Sequence, residues 1–220
     1  MDSILFSAGT QRHIASEEWY FEIIAGGYGA VVFDCDGTLV NSSEAHYHSL
    51  KSAVCVQGYD LDRDWYDQRT GLDRYSILSA LSVENSGNLD IALAAQHSID
   101  AFISATTEVS PIAETCKLVR ALAGTYPMAV GTNAEIEVAM ASLQAINLLD
   151  FFATIVSVSD GLPAKPAPNI FAYAAQRLGF PAAKTLVVED SPEGVSAAIA
   201  AGSDVIQVVQ SSPRAPRNLD

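Results

Sequence analysis

An apolar run ending in two carboxylates constrains this chain most. Val31-Val32-Phe33 leads directly into Asp34-Cys35-Asp36-Gly37-Thr38. A continuous apolar run without polar alternation reads as a strand covered on both faces, the pattern of a buried parallel sheet. In an open α/β sheet, ligands sit outside the carboxyl ends of the strands. The sequence therefore delivers Asp34 and Asp36 to a sheet rim, next to a glycine that lets the backbone come close to a ligand.

The remainder of the chain supplies the frame. From Pro111 onward, helical and strand patterns alternate: helix 112–124, strand 127–130, helix 134–146, strand 153–158, helix 169–178, strand 185–188, helix 192–201 and strand 205–209. Such alternation implies right-handed βαβ units and a parallel sheet. Between about residues 43 and 108 the pattern is helical only, with helices at 44–57, 63–69, 74–81 and 89–108. The first of these follows Ser42-Ser43, which suit a cap, and stops at Gly58. Glu17 to Ile24 reads as a short helix, and Gly26 to Gly29 as a linker. The expected fold is α/β: a doubly wound, Rossmann-like parallel sheet core with an inserted small helical cap domain. The expected division is an N-terminal extension at 1–28, a core at 29–42 and 109–210, a cap at 43–108 and a flexible tail at 211–220. An insertion beside a catalytic strand end is where a lid sits.

Two further strand ends and one helix-leading loop carry polar groups. Thr132 and Asn133 follow the second core strand, Lys165 precedes the helix at 169, and Glu189 and Asp190 follow the strand at 185. All carboxyl ends of a parallel sheet lie on one side, so these groups can converge with Asp34 and Asp36. Four carboxylates in one crevice repel one another, and a hard divalent cation relieves this. Oxygen ligands beside a phosphate favour Mg²⁺. Lys165 adds a positive charge, and Thr132 with the backbone N–H groups near Gly131 can hold anionic oxygens. The sum is a phosphate site built around a carboxylate nucleophile, Asp34.

Composition agrees with a compact enzyme that takes a small substrate. Apolar residues make up 49% and charged residues 17% of the 220, which excludes disorder. A net charge of −14 disfavours nucleic acid and anionic membranes as partners. It permits a small phosphorylated substrate where a metal and local cations offset the field. No apolar run nears the ~18 residues a membrane span requires, and the N-terminus lacks the basic start of a signal peptide. Three cysteines, an odd number, point to a reducing compartment. The expectation is a cytoplasmic monomer or weak dimer without nucleic acid or membrane partners.

Asp34-Cys35-Asp36-Gly37-Thr38, Thr132, Lys165-Pro166 and Glu189-Asp190 together resemble the haloacid dehalogenase superfamily of phosphohydrolases, over about residues 30–209. The helical insertion after the first motif resembles the subgroup containing phosphoglycolate phosphatase-like enzymes, sugar phosphatases and β-phosphoglucomutase. The resemblance implies that Asp34 attacks phosphorus and that Asp36 is the general acid and base. It implies Mg²⁺ held by Asp34, the Asp36 carbonyl and Asp190, with Glu189 close by. It implies phosphate binding by Thr132 and Lys165, joined here by Asn133, and a cis Lys165–Pro166 bond. Dehalogenase relatives lack an acid at the Asp36 position, so its presence favours phosphoryl transfer. His46 and Ser42 fall where the first cap helix faces the site in relatives. Arg74 matches a cap arginine that holds a distal phosphate in β-phosphoglucomutase, whereas the neighbouring lysine of that mutase is Thr70 here. Relatives commonly carry Asp where this chain has Asn41, a position that flanks the hinge. The expected function is a Mg²⁺-dependent phosphatase of a small metabolite (a sugar phosphate or phosphoglycolate-like compound), working through an aspartyl-phosphate. The alternative is a phosphomutase of the β-phosphoglucomutase type.

Overall fold

The computed structural model describes residues 1–85 and 87–209. The tail expected at 211–220 lies outside them. The chain begins with a hairpin, β1 (Asp2–Ser7) and β2 (Thr10–Ala15), and a helix, α1 (Trp19–Gly26). Strand β3 (Ala30–Phe33) carries the opening motif, and a short β4 (Val40–Asn41) leads to four helices. These are α2 (Ser43–Cys55), α3 (Arg63–Asp67), α4 (Arg74–Glu84) and α5 (Ile91–Ser104). After β5 (Ser110–Pro111) come α6 (Ala113–Leu122), β6 (Met128–Gly131), α7 (Ile136–Ala145) and β7 (Thr154–Val156). Then follow α8 (Asn169–Arg177), β8 (Thr185–Glu189), α9 (Pro192–Ala201) and β9 (Asp204–Val209).

The main sheet has the order β2-β1-β9-β8-β3-β6-β7. From β9 to β7 every pairing is parallel. The chain leaves β3 toward β6 and β7, then returns to its other side for β8 and β9, so the topology switches beside β3. Ligands bind at such a point, and it is where Asp34 and Asp36 emerge.

Every residue of β3 is fully buried, as its apolar run requires. Its side chains alternate between two layers. Val31 and Phe33 pack with Trp19 and Ile23 of α1, Val119 and Leu122 of α6, and Leu143 of α7. Val32 packs with Ile170 and Phe171 of α8 and Ala198 of α9. Each such side chain contributes about 1.5–3 kcal/mol of burial free energy, an upper estimate against an extended chain.

The helical segment has its own core, built from Tyr47, Leu50, Val54, Leu61, Leu78 and Leu81. Asp62, Asp73 and Asp90 begin α3, α4 and α5 by accepting the backbone N–H groups of Trp65, Ser76 and Leu93. Its two connections to the sheet run side by side, because β4 and β5 pair antiparallel through Val40–Pro111 and Asn41–Ser110.

The N-terminal residues differ from the sequence reading, which assigned only a helix and a linker to them. Strand β1 pairs antiparallel with β9, and β2 forms the sheet edge. Trp19 is fully buried and its Nε1–H donates to Ser3 Oγ at 2.7 Å, while Ser3 Oγ donates to the Ile14 carbonyl at 2.7 Å. The segment taken for a linker begins with Gly27 closing α1 in the left-handed region at φ 65°. Among the described residues, no helix is long and apolar enough to cross a membrane.

Candidate active site

The carboxyl ends of β3, β6 and β8 and the loop before α8 converge on one cavity of about 550 Å³, roofed by residues 66–77 of the helical segment. Asp34, Asp36, Thr132, Asn133, Lys165, Glu189 and Asp190 all line it, as do His46 and Arg74. Every residue singled out from sequence therefore reaches the same space.

Lys165 is its electrostatic centre. Its ammonium donates to Asp34 Oδ1 at 2.6 Å and to Glu189 Oε2 at 2.7 Å, and it lies 4.5 Å from the Phe171 ring centre. Lys165 and both carboxylates are buried. Burial works against the ammonium charge, yet Asp34 and Glu189 outweigh it and raise the lysine pKa above its ordinary value. The Lys165–Pro166 bond is cis.

The other oxygen of Glu189 accepts from the Asp190 and Ser191 backbone N–H groups, each at 3.0 Å, and from Ser191 Oγ at 2.9 Å. This carboxylate is thus held by the start of α9 on one side and by Lys165 on the other. It fits only because residue 194 is glycine, since a Cβ there would stand 1.9 Å from Glu189 Oε2.

Asp34, Glu189 and Asp190 present carboxylate oxygens within 4.8 Å of one another. Burial, then the charge of Glu189, raises Asp34 well above the usual carboxylate range. The same two causes push Asp190 up to about 7, against the pull of Thr38 Oγ1, which donates to its Oδ1 at 3.1 Å. Three carboxylates facing one lysine leave excess negative charge. This all-oxygen donor set fits a hard divalent cation. Gly37 sits against it with φ +88°, and a Cβ there would fall 2.2 Å from Asp190 Oδ2. A Gly37→Ala variant should lose ~1–3 kcal/mol, combining left-handed strain with displacement of Asp190. Urea unfolding of the metal-free protein measures it, and an unchanged midpoint would contradict the expectation.

Asp36 lies apart from that cluster. Its Oδ1 accepts from Ser42 Oγ at 2.5 Å and lies 3.1 Å from His46 Nε2. Burial works against its charge, but the field and hydrogen bond of His46, the Ser42 hydroxyl and the charge of Arg74 together hold it below the ordinary aspartate value. The two aspartates of the opening motif thus have opposite environments.

Thr132 is buried, and its Oγ1 accepts from the Ala134 N–H at 3.0 Å, which leaves the hydroxyl proton to donate elsewhere. Asn133 has another occupation. Its Oδ1 accepts from the Lys165 N–H at 2.8 Å, and its Nδ2 donates to the Lys165 carbonyl at 3.3 Å and the Gly71 carbonyl at 3.2 Å. Its side chain thus fixes the lysine loop and touches the helical segment. Arg74 is paired too: Nε donates to Glu135 Oε1 and Oε2 at 3.0 and 3.1 Å, and Nη1 to Ser98 Oγ at 2.7 Å. Sequence reading missed Glu135, and it gave Thr38 and Ser191 no part in the site beyond their places in a motif and at a helix start. Ser191 had a legible signal as the cap of α9, accepting the Gly194 N–H, whereas the Glu135–Arg74 pair joins residues 61 apart.

A family model described as Haloacid dehalogenase-like hydrolase matches residues 31–208. The chain is 29% identical over 181 residues to the fructose-1-phosphate phosphatase YqaB of Escherichia coli (strain K12), covering 82% of this chain and 96% of that protein. It is 31% identical over 193 residues to protein CbbY of Rhodobacter capsulatus, covering 80% and 83%. The crystal structure of CbbY from Rhodobacter sphaeroides in complex with phosphate superimposes with a TM-score of 0.73 at 23% identity, covering 81% of this chain and 84% of that one. The family match begins after α1, so the N-terminal hairpin lies outside it.

Proposed function

The chain belongs to the haloacid dehalogenase-like hydrolase family, and from that premise we propose that it is a Mg²⁺-dependent phosphatase of a small phosphorylated metabolite, working through an aspartyl-phosphate on Asp34. The supporting observation is the grouping of Asp34, Lys165, Glu189 and Asp190 in one cavity, with Asp36 carried separately by Ser42 and His46.

In this reading Lys165 and the Thr132 hydroxyl hold the phosphoryl oxygens. A carboxylate oxygen of Asp34 attacks phosphorus, and the bond from phosphorus to the ester oxygen breaks. Asp36 gives its proton to that departing oxygen. His46, Ser42 and Arg74 keep Asp36 ionised against the cost of burial, and a dianionic phosphate brought beside it raises its proton affinity. Water then attacks phosphorus, Asp36 takes its proton, and the bond to Asp34 breaks to release inorganic phosphate. Asp34 and Asp190, with the Asp36 carbonyl and with Glu189 nearby, would hold Mg²⁺, which neutralises charge on the transferring group. The helical segment serves as a cap with His46 and Arg74 facing the substrate. A sugar phosphate or a phosphoglycolate-like compound is the proposed substrate class, in keeping with the name of the YqaB relative. We read the protein as cytoplasmic, consistent with its unpaired thiols Cys35, Cys55 and Cys116, and as a monomer or weak dimer.

A phosphomutase needs a second phosphate-holding patch. Arg74 is the matching residue, but its guanidinium is already bonded to Glu135, so this alternative is not favoured. Release of inorganic phosphate from a panel of sugar phosphates, phosphoglycolate and nucleotides in Mg²⁺ tests the proposal. Isomerisation of a sugar phosphate with little phosphate release would refute it.

Metal binding should also depend on pH in a defined direction. The folded pKa of Asp190, about 7 without metal, lies above its unfolded value of 3.8. Such a carboxyl stabilises the fold at low pH, and that contribution is lost as pH rises from about 4 to 7. Mg²⁺ binds the ionised form and restores it. Saturating Mg²⁺ should raise Tm by roughly 5–10 °C at pH 8 and by much less at pH 5.5. Equal shifts at both would argue against Asp190 as a ligand.

A further inference from the structure

We infer that Glu135 restricts this pocket to substrates with a single phosphate, by neutralising Arg74. The inference rests on the phosphatase reading above and deepens it.

Arg74 opens α4 and lines the cavity from the helical segment, while Glu135 lines it from the core, immediately before α7. Their side chains are only 4% and 9% exposed. The Nε–H group of Arg74 is shared between both Glu135 oxygens, and its Nη1 is fixed by Ser98 Oγ, which itself donates to the Ala95 carbonyl at 2.9 Å. A planar guanidinium is the side chain best suited to grip a phosphate. Here its charge is met by a carboxylate of the protein. A second phosphate on the substrate would have to displace Glu135 or lie against it, and like charges brought together away from water are strongly disfavoured. Glu193 lines the same cavity near Gly71, where a Cβ would lie 3.6 Å from its Oε2, and adds a second negative group. A hydroxyl suffers no such penalty. Arg74 Nη2 takes part in none of these bonds, so it suits a neutral oxygen of a sugar or a hydroxy acid.

The same pair could act only as a latch between helical segment and core, and specificity separates the two roles. The experiment measures kcat/KM in Mg²⁺ for matched hexose and pentose monophosphates and bisphosphates, with para-nitrophenyl phosphate as a generic ester. The proteins are the wild type, Glu135→Gln, and the double variant Arg74→Gln with Glu135→Gln. The wild type should prefer monophosphates by at least ~10²-fold. Glu135→Gln should narrow that preference by at least ~10-fold, and the double variant should not, because the uncovered guanidinium is what accepts the second phosphate. A wild type that turns over bisphosphates as readily as monophosphates overturns the inference. So does a folded Glu135→Gln protein in which both substrate classes change in step, the outcome expected of a latch. If Glu135→Gln does not fold, the wild-type ratio decides alone. A wild type that hydrolyses neither the generic ester nor any sugar phosphate refutes the phosphatase reading itself, a result distinct from a lost preference.

Discussion

Asp34→Asn should lose at least ~10³-fold in kcat/KM, because removing a covalent nucleophile closes the main route, while the protein stays folded. The second half of this expectation follows from the environment. Asp34 is buried beside Glu189 and Asp190, and burial with their charges raises its pKa well above normal. Its ionised form is thus costly in the metal-free protein, and an amide of the same shape removes that cost. Lys165 keeps Glu189 as a partner at 2.7 Å. Tm in the absence of metal should therefore match or exceed the wild-type value. Phosphate release and thermal unfolding on one preparation check both halves. Retention of more than about a tenth of the activity would exclude a covalent role for Asp34.

Lys165→Met should behave in the opposite way, losing activity and stability together. The lysine bridges two buried carboxylates. Removing one member of a buried ionic group costs about 3–5 kcal/mol, because the remaining charges are left uncompensated. Activity should fall at least ~10²-fold, since the phosphoryl group loses a charged donor. The instability has a pH signature. Without the ammonium, the folded pKa of Asp34 rises further above that of the unfolded chain. Stability from such groups is present at low pH and lost as pH rises. Urea unfolding in chelator should show a larger deficit for Lys165→Met at pH 8 than at pH 5.5. A deficit that grows toward acid would mean that the lysine charge is not what holds these carboxylates.

The parallel core was legible because its strands are covered on both faces and end in chemistry. Val31–Phe33 and Leu186–Val188 are uninterrupted apolar runs, and each stops at a carboxylate. Strands β1 and β2 were not legible, for two physical reasons. Strand β2 is an exposed edge with Gln11, Arg12 and His13 on its surface, and in β1 the buried positions include Ser3. The turn between them has both residues at positive φ, Ala8 at 49° and Gly9 at 75°. That geometry normally announces itself with Asn-Gly or Asp-Gly, and alanine hides it. The core of the candidate site was readable because its carboxylates and Thr132 sit at strand ends and Lys165 on the loop that leads into α8. The helical segment was harder, because the environment of Arg74 is set by Glu135 on a different element. Asn133 illustrates a related limit. Its position was predictable, but its use in clasping the Lys165 backbone depends on a loop whose path only the fold supplies.

The pairing of β1 with β9 also orders events in time. Asp2 to Phe6 face Val209 to Val205, so β1 can complete its pairing only after β9, at the far end of the described residues, has been made. At ~5–20 residues per second, β1 waits on the order of 10–40 s for its partner. During that interval it has only its hairpin mate β2, and an isolated two-stranded hairpin is marginal in water. The nascent chain therefore carries an incomplete sheet edge until synthesis has passed β9.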